Sequence, residues 1–474
     1  MNDMLGEFAR TLDRFMARVD PRQIDREHRI PPQLLAGLAE LGAFGVTLPT
    51  DHGGSELGLT GACRVVDTLA RHDRAIATTV GLHLGLGTRG LVAFGTPTQR
   101  ERYLPRLATG QTLAAFATTE PSSGSDLTRL STRATRLDPH RMRVSGEKIY
   151  VTNGGLAEVF TLTATADGFA NVSTGARVLL VAERSDPGLT VGREEEKLGL
   201  RGSSTTSLYL DLDLPQDRLL DPPEKNTDPL SHILAWGRTA MAAGCCGTAH
   251  AALAKTLDHV TTRTQFGRTL HSQPIVQDQL TWMNARLSAM RALVAQAAAA
   301  ADTDSPALEP LSLAAKVFAS DGDWQICDLA VQLHGGSGYI EDTGVALLLR
   351  DARITRIFEG ANDVLLTRLG QLELTRPMLA SGPAAAPLAE LRPLGLKVLR
   401  DPRRLHRAGR LAMLGLAHAA SAASPTPDQD ALAQLEHELA VLAWSAHLED
   451  TRAAPPGSPT SPTPSTPLPH GAQA

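Results

Sequence analysis

Hydrophobic and polar positions follow three successive patterns along the chain. Up to about residue 110, apolar residues return every three or four positions, as in residues 31–41, which is typical of amphipathic helices. From about 113 to 220, short and partly alternating apolar runs lie between Gly, Asn and Pro, and they predict the strands of a small barrel or sandwich. Beyond residue 229, long apolar periods joined by short loops predict an antiparallel four-helix bundle. Its helical stretches are expected at 230–262, 274–301, 307–334 and 345–370.

These patterns predict a mainly α fold with a central β domain. Beyond residue 370 the hydrophobic pattern is weaker. The expected segments are an N-terminal helical domain at 1–112, a middle β domain at 113–228, a C-terminal four-helix bundle at 229–372, a short helical extension at 373–452 and a tail at 453–474. The tail is rich in Pro, Ser and Thr and has too few apolar side chains to offset the entropy of ordering. We expect it to be disordered.

Composition narrows the class of protein. Hydrophobic residues make up 42% of the chain and the net charge is -5, so there is no basic excess to follow a nucleic-acid backbone. The four cysteines form no C-x-x-C pair and favour free thiols in a reducing compartment. No apolar run reaches the length of a membrane span, and the first residues do not resemble a secretory signal. We therefore expect a cytoplasmic protein without a transmembrane segment or a metal site.

One nucleotide-binding motif is present without its context. Residues 85–90 fit G-x-G-x-x-G, but no β-branched strand precedes them and no acidic residue follows at a convincing distance. A dinucleotide site of the Rossmann type is therefore not expected here.

The segment most suggestive of catalysis is Glu359-Gly360-Ala361-Asn362-Asp363. Glu359 follows the apolar Phe358, and an apolar environment raises the pKa of a carboxyl group towards neutrality, where it is an effective base. Asn362 and Asp363 are expected to cap the helix that follows, whose first N–H groups could stabilise an enolate oxygen. The alternative is an exposed glutamate in an ordinary turn.

Two further segments have both a chemical and a purely structural interpretation. Residues 116–126 offer hydroxyl and backbone donors that suit a pyrophosphate or a flat heteroaromatic ring, although such a loop often only connects strands. Residues 263–268 place arginines at a turn, where they could bind a pyrophosphate or simply end a helix with a glycine cap. Arg238 is compatible with a surface salt bridge.

Four of these motifs together resemble a known family. Arg-Ile-Phe-Glu-Gly-x-Asn-Asp at 356–363, preceded by Gln-Leu-His-Gly-Gly-Ser-Gly-Tyr at 332–339, resembles the C-terminal signature of the acyl-CoA dehydrogenase family, and the very-long-chain branch is the most similar. The 116–126 and 263–268 segments occur in the family order and spacing. The resemblance covers about residues 25–370 and implies an acyl-CoA dehydrogenase-like fold, with a helical domain, a middle β barrel and a four-helix bundle.

The resemblance also implies an activity. It predicts FAD-dependent conversion of an acyl-CoA to the trans-2-enoyl-CoA, with Glu359 as catalytic base, an electron-transfer flavoprotein as electron acceptor and a homodimer or homotetramer. Alternatives within the fold are an acyl-CoA oxidase, a flavin monooxygenase and a non-catalytic assembly or scaffold protein. Acyl length and branching are not readable from the sequence.

The same resemblance implies roles for individual residues. Acyl-CoA binding is implied for Ser125, Arg238 and Gly360. FAD binding is implied for Phe116, Thr118, Thr119, Gly124, Ser125, Tyr150, Val151, Thr152, Arg263, Gln265, Phe266, Gln332, Gly335, Gly336, Ala361, Asn362 and Asp363. The groups at 263–266 and 332–336 are expected to reach the FAD of a neighbouring subunit. Tyr150 stands where the family usually has tryptophan, and residues 221–225 depart from a glycine-rich family segment.

Overall fold

A computed structural model of the 474-residue chain describes residues 2–169, 172–220, 228–376, 379, 382–391 and 401–452. The departing segment at 221–225 and the predicted tail at 453–474 lie outside these residues.

Seven helices form the N-terminal part of the described chain. They are α1 (Asn2–Met16), α2 (Pro21–Glu27), α3 (Pro32–Glu40), α4 (Gly58–Ala70), α5 (Arg74–Leu82), α6 (Arg89–Phe94) and α7 (Pro97–Ala108). Local chemistry sets several of their starts. At α7 the Thr96 hydroxyl accepts from the backbone N–H of Gln99, whose side chain accepts in return from the N–H of Thr96. This reciprocal cap, with Pro97 next in the chain, fixes the first turn of α7.

A curled sheet follows the helices. Its strands are β1 (Ala114–Ala117), β2 (Arg133–Arg136), β3 (Arg141–Thr152), β4 (Val159–Asp167), β5 (Arg177–Glu183), β6 (Leu189–Glu194) and β7 (Thr205–Pro215). The strand order is β1-β4-β2-β3-β7-β6, with β5 also paired to β4. Leu208, Leu210 and Leu212 of β7 are buried and alternate with exposed residues, because successive side chains of a strand point to opposite faces.

Long helices form the C-terminal bundle. They are α8 (Pro229–Thr262), α9 (Pro274–Asp302), α10 (Leu308–His334), α11 (Val345–Arg353) and α12 (Asn362–Thr375), with a short hairpin, β8 (Thr264–Gln265) and β9 (Arg268–Thr269), after α8. The single stretch expected at 345–370 is wrong, because α11 and α12 are separate helices. Glu359 has φ 55° and Gly360 has φ 104°, and such left-handed residues do not continue an α-helix.

Among the residues that the structure describes, three more helices cover the bundle. They are α13 (Ala385–Leu391), α14 (Pro402–Ala422) and α15 (Gln429–Arg452). Helices α12 and α14 cross where Gly370 meets the backbone at Leu405 and Gly409 meets the backbone at Leu366, and a Cβ at either glycine would overlap a carbonyl oxygen. The crossing therefore depends on the absence of two side chains.

One apolar core joins the first and last of these helices. A continuous cluster of buried side chains runs from Leu12 of α1 through α8, α9 and α10 to Leu442 of α15. All four cysteines are free and buried, as predicted. Among the described residues, no helix combines the length and apolar character needed to cross a membrane.

The G-x-G-x-x-G segment has a packing role. Residues His83–Gly87 form a turn of π-helix after α5, and no strand leads into it. Gly87 lies against the backbone of Ala114, and Gly85 lies against Gly237 of α8. The close approach to Ala114 explains the glycine at Gly87, and the structure agrees that this is not a Rossmann turn.

Candidate active site

A cavity of about 590 Å³ opens where α5, α8 and α10 meet the sheet and the turn before α12. Its wall brings together residues that are far apart in the sequence. The predicted site residues that line it are Phe116, Thr118, Thr119, Gly124, Ser125, Tyr150, Thr152, Arg238, Glu359 and Gly360. Ten of the predicted positions therefore share one enclosure.

Glu359 lies inside this cavity. One carboxylate oxygen, Oε2, is buried and has no hydrogen-bond partner among the described residues. The same oxygen is 3.0 Å from the point that a Cβ on Gly237 would occupy, so α8 leaves room for the carboxylate by having glycine there. The alternative of an exposed glutamate in an ordinary turn is wrong.

Burial and nearby positive charges have opposite effects on the pKa of Glu359. Burial raises its pKa from 4.5 to about 7, although the positive charges of Arg238, Lys316 and Arg74 favour the ionised form. A carboxyl group with this pKa exists in both forms near neutral pH. Glu359 can therefore both take up and release a proton in the cavity.

A buried lysine supports the turn that carries Glu359. Lys316 of α10 donates to the carbonyl oxygen of Gly360 at 2.7 Å and to Oδ1 of Asn362 at 2.6 Å. The Asn362 amide donates in turn to Ser320 Oγ and Asp321 Oδ1, each at 3.0 Å. Burial lowers the pKa of Lys316 to about 7, while Glu359 opposes that shift.

This network corrects the expected helix cap. Helix α12 begins at Asn362, and no side chain caps its N-terminus. Asn362 is directed towards α10 instead, where Lys316 satisfies its carbonyl oxygen, and Asp363 is exposed with Oδ1 3.1 Å from His406 Nε2. Glu359 nevertheless lies just ahead of a helix N-terminus, as predicted.

Arg238 contacts the backbone of the same turn. Its Nε donates to the Glu359 carbonyl oxygen at 3.0 Å, and burial lowers its pKa to about 10. A surface salt bridge is therefore the wrong interpretation of Arg238.

On the sheet side, a buried ion pair holds the 116–126 loop. Lys148 of β3 lies 2.7 Å from Glu120, which also accepts from the backbone N–H of Thr132 at 3.1 Å. Lys148 donates to the Thr118 carbonyl oxygen as well, at 3.3 Å. Burial lowers the pKa of Lys148 to about 8, and hydrogen bonds from Lys148 and Thr132 outweigh burial in lowering the pKa of Glu120. The loop is thus fixed against the sheet at the cavity edge.

Tyr150, Val151 and Thr152 differ in their position relative to the cavity. Tyr150 has φ 55° at an irregularity in the pairing of β3 with β7, and 65% of its surface is exposed at the cavity rim. Val151 is buried in the core of the sheet and does not line the cavity, whereas Thr152 does.

The remaining predicted FAD positions lie elsewhere on this chain. Ala361, Asn362 and Asp363 flank the base without lining the cavity. Those on the outer surface are Arg263, Gln265, Phe266, Gln332, Gly335 and Gly336. Stacking of the His259 and His334 rings, with centroids 4.3 Å apart, places the ends of α8 and α10 side by side. The two surface groups therefore occupy one end of the bundle.

Three buried cations near the cavity were not predicted from the sequence, namely Arg74, Lys148 and Lys316. Lys148 had a readable signal, because it shares the inward parity of Met142 and Val144 in an alternating strand. Lys316 lies within the apolar run of residues 311–319, which is unusual for an unpaired lysine.

Comparison with known proteins agrees with the fold. Residues 3–111, 115–212 and 230–373 match the acyl-CoA dehydrogenase N-terminal, middle and C-terminal domains, respectively. The chain therefore belongs to the acyl-CoA dehydrogenase family, and the predicted family and fold class are confirmed.

The share of each relative that aligns with this chain differs from one relative to another. It is 37% identical over 368 residues to the mouse mitochondrial very long-chain specific acyl-CoA dehydrogenase, with 76% of this chain and 56% of that protein aligned. The chain thus spans about half the length of this relative. It is 34% identical to a Bacillus subtilis acyl-CoA dehydrogenase, with 77% of this chain and 94% of that protein aligned. The butyryl-CoA dehydrogenase structure from Megasphaera elsdenii superimposes with a TM-score of 0.74 at 30% identity, covering 79% of this chain and 99% of that one.

Proposed function

We propose that this chain catalyses FAD-dependent α,β-dehydrogenation of an acyl-CoA thioester to the trans-2-enoyl-CoA. The observation that carries the proposal is Glu359, a carboxyl group that lines the cavity, has a pKa of about 7 and has one oxygen without a hydrogen-bond partner among the described residues. Removing a proton next to a thioester carbonyl needs a base of this kind. Family membership supplies the reaction class.

The sheet side of the cavity fits FAD chemically. Neutral hydroxyl donors and acceptors of Thr118, Thr119, Ser125 and Thr152 stand beside the ring of Phe116. A Cβ added to Gly124 would meet no atom closer than 3.8 Å, so there is open space above that loop. Such a wall suits a flat ring with a polar edge. When bound, FAD supplies a two-electron acceptor for the hydrogen that leaves the β-carbon with its bonding electrons.

The chain's own groups carry the other half of the reaction. The α C–H bond breaks and its proton passes to the Glu359 carboxylate. The N–H groups at the start of α12 are directed towards the same turn and are suited to stabilise negative charge on the thioester oxygen. Arg238 and Lys316 fix the carbonyl groups of Glu359 and Gly360, respectively, which orients the base.

The proposal also includes an oligomer of this chain and a protein that accepts its electrons. The side chain of Phe266 is 94% exposed and that of Tyr339 is 84% exposed, at the end of the bundle where α8 and α10 meet. Apolar groups so exposed favour burial against another protein surface. We assign this end, with Arg263, Gln265 and residues 332–336, to a homodimer or homotetramer contact that reaches the neighbour's FAD. An electron-transfer flavoprotein is the proposed electron acceptor.

Anaerobic mixing with acyl-CoA thioesters tests the reaction class. We expect the flavin absorbance to bleach with at least one straight, branched or aromatic acyl-CoA and to return only slowly in air. Rapid return in air would identify an oxidase. Absence of bleaching across the whole series would contradict the dehydrogenase and favour a non-catalytic assembly protein.

A further inference from the structure

A second cavity, of about 360 Å³, lies where α9 meets the end of α14 and the connection that leads to α15. No residue that lines it also lines the cavity of Glu359. Its volume falls within the range of sites for small molecules. The dehydrogenation proposed above makes no use of this second cavity.

The two walls of the second cavity come from different helices and are both polar. The wall from α9 is one side of that helix, where three apolar side chains alternate with the polar groups of Asn284, Ser288 and Arg291. The facing wall supplies the hydroxyl groups of Ser421, Ser424 and Thr426 and the carboxylate of Asp428. Hydrogen-bonding groups that converge on one space in this way are typical of a binding site rather than of a packing defect.

Ser421 is the most deeply buried polar group of this lining. It is 3% exposed, and its Oγ has no hydrogen-bond partner among the described residues. Buried hydroxyl groups in other helices of the chain are paired, as where Thr239 donates to the Ala235 carbonyl oxygen at 2.9 Å. A buried hydroxyl group without a partner destabilises the folded chain. A polar ligand in the second cavity would remove that cost.

Arg291 gives the α9 wall a positive charge that is only partly balanced. Its Nη2 lies 3.6 Å from Asp67 Oδ1, which is too long for a hydrogen bond, and Nη2 has no other partner among the described residues. Asp67 is also paired, more closely, with Arg71. Because two arginines share one carboxylate, positive charge remains at Arg291. A guanidinium group is well suited to bind a carboxylate.

Asp428 gives the facing wall a negative charge. Its Oδ1 accepts from the backbone N–H of Ala431 at 3.1 Å and so caps the start of α15, which leaves Oδ2 for another donor. Among the described residues that line the second cavity, only Arg291 and Asp428 carry a formal charge. The cavity therefore presents one charge of each sign, on different walls.

We propose that the second cavity binds a small zwitterion of the α-amino acid type. The carboxylate of the ligand accepts from the Arg291 guanidinium and the Ser421 hydroxyl, and its ammonium group donates to Asp428. A simple anion such as phosphate would be repelled by Asp428, and a simple cation would be repelled by Arg291. A zwitterion satisfies both charges. This inference is independent of the proposed dehydrogenase function.

The competing explanation is a cleft filled only by water, in which Arg291 serves the fold through Asp67. Titration of the full-length holoenzyme with the standard L-amino acids, followed by calorimetry and thermal unfolding, separates the two explanations. At least one amino acid should raise the melting temperature and bind at millimolar concentration or below. Single-charge probes of the same skeleton, such as propionate and ethylamine for L-alanine, and inorganic phosphate should bind at least about 10-fold more weakly than the amino acid.

Two substitutions locate the binding. Arg291→Gln and Asp428→Asn should each weaken binding of the amino acid by about 10- to 100-fold, as expected for the loss of a charge-assisted contact. Asparagine caps a helix about as well as aspartate, so Asp428→Asn should fold even if Arg291→Gln does not. Arg410→Gln is the matched control, because Arg410 is an exposed arginine of α14 outside the cavity, and it should bind as the wild type does.

Three results would overturn the inference. The first is that no amino acid binds to the wild-type holoenzyme. The second is that the carboxylate-only or amine-only probe binds as tightly as the amino acid, since the site would then recognise a single charge. The third is that Asp428→Asn binds the amino acid as the wild type does, which would place the ligand elsewhere on the chain.

Discussion

Lys316 Nζ donates a 2.7 Å hydrogen bond to the carbonyl oxygen of Gly360, the residue that directly follows Glu359. The contact joins the middle of α10 to a turn in which Glu359 has a left-handed backbone. Left-handed conformation is unfavourable for a residue with a side chain and persists only where the surroundings enforce it. Lys316 and Arg238, which holds the Glu359 carbonyl oxygen, both contact the backbone of this turn.

Replacing Lys316 with methionine therefore tests how the base is positioned. Lys316→Met keeps the length of the side chain but removes both hydrogen bonds to the turn. We expect kcat to fall about 10²-fold through misplacement of the carboxylate, and the free energy of unfolding to fall by about 1–3 kcal/mol because two acceptors lose their donor. Steady-state kinetics and denaturant unfolding measure the two effects. Ser320→Ala, which removes contacts to Asn362 and to the Val317 carbonyl oxygen but leaves Lys316 in place, should have a much smaller effect on kcat.

Glu359→Gln isolates the proton transfer. The substitution preserves volume and removes the ability to take up a proton, so acyl-CoA and FAD should still bind while flavin reduction slows by at least about 10²–10⁴-fold. Glu359→Asp should retain more activity than Gln and less than wild type, since its carboxylate is withdrawn from the substrate. Stopped-flow absorbance under anaerobic conditions gives both rates. Bleaching of Glu359→Gln at nearly the wild-type rate would place the base elsewhere.

The pH profile follows from the raised pKa of Glu359. The ionised carboxylate is the active form, so kcat/KM should increase as the pH rises through about 7. The measurement is kcat/KM across a buffer series at constant ionic strength. A profile that is flat through this range would show that a different group controls proton removal.

The pH dependence of stability at Glu359 should be opposite to that of kcat/KM. The contribution of Glu359 to the free energy of unfolding should fall as the pH rises. The folded-state pKa of Glu359 is raised from 4.5 to about 7, so folding favours the protonated form. Below pH 4.5 the carboxyl group is protonated in both states, so burying it does not reduce the free energy of unfolding. The reduction grows as the pH rises to about 7 and reaches on the order of 3 kcal/mol. Glu359→Gln should therefore melt at a higher temperature than wild type above pH 7, and the difference should vanish at acidic pH. Thermal melts with saturating FAD test this, and equal Tm values at alkaline pH would contradict it.

Arg263→Ala tests the proposed intersubunit contact. Arg263 is exposed on this chain, so its loss should leave the folded chain intact. We expect reduced flavin retention and a weaker oligomer together, by about 1.5–3 kcal/mol for a charge-assisted contact. Flavin content after gel filtration and mass by light scattering are the readouts. A variant with full flavin content and unchanged mass would refute the assignment.

Periodicity and local motifs predicted much of this protein from its sequence. Helix and strand periods identified the three structural regions, and the short context of Glu359 identified a buried carboxyl group. The role of Asn362 was misjudged, because a local rule for helix caps takes no account of Lys316, which lies 46 residues away in sequence. Arg74 was missed for the same reason, since its partner Met241 is 167 residues away and only the fold brings the two together.

The shared apolar core has a consequence for synthesis of the protein. Leu12 and Leu442 belong to one buried cluster, so the cluster as a whole is complete only after the last helices have been made. At ordinary rates of translation, the residues between them take about 20–90 s to emerge from the ribosome. During that interval the apolar cluster is incomplete, and part of its surface has no permanent partner. Production in the cell should accordingly depend on chaperones that shield nascent chains, and slower translation should increase that dependence.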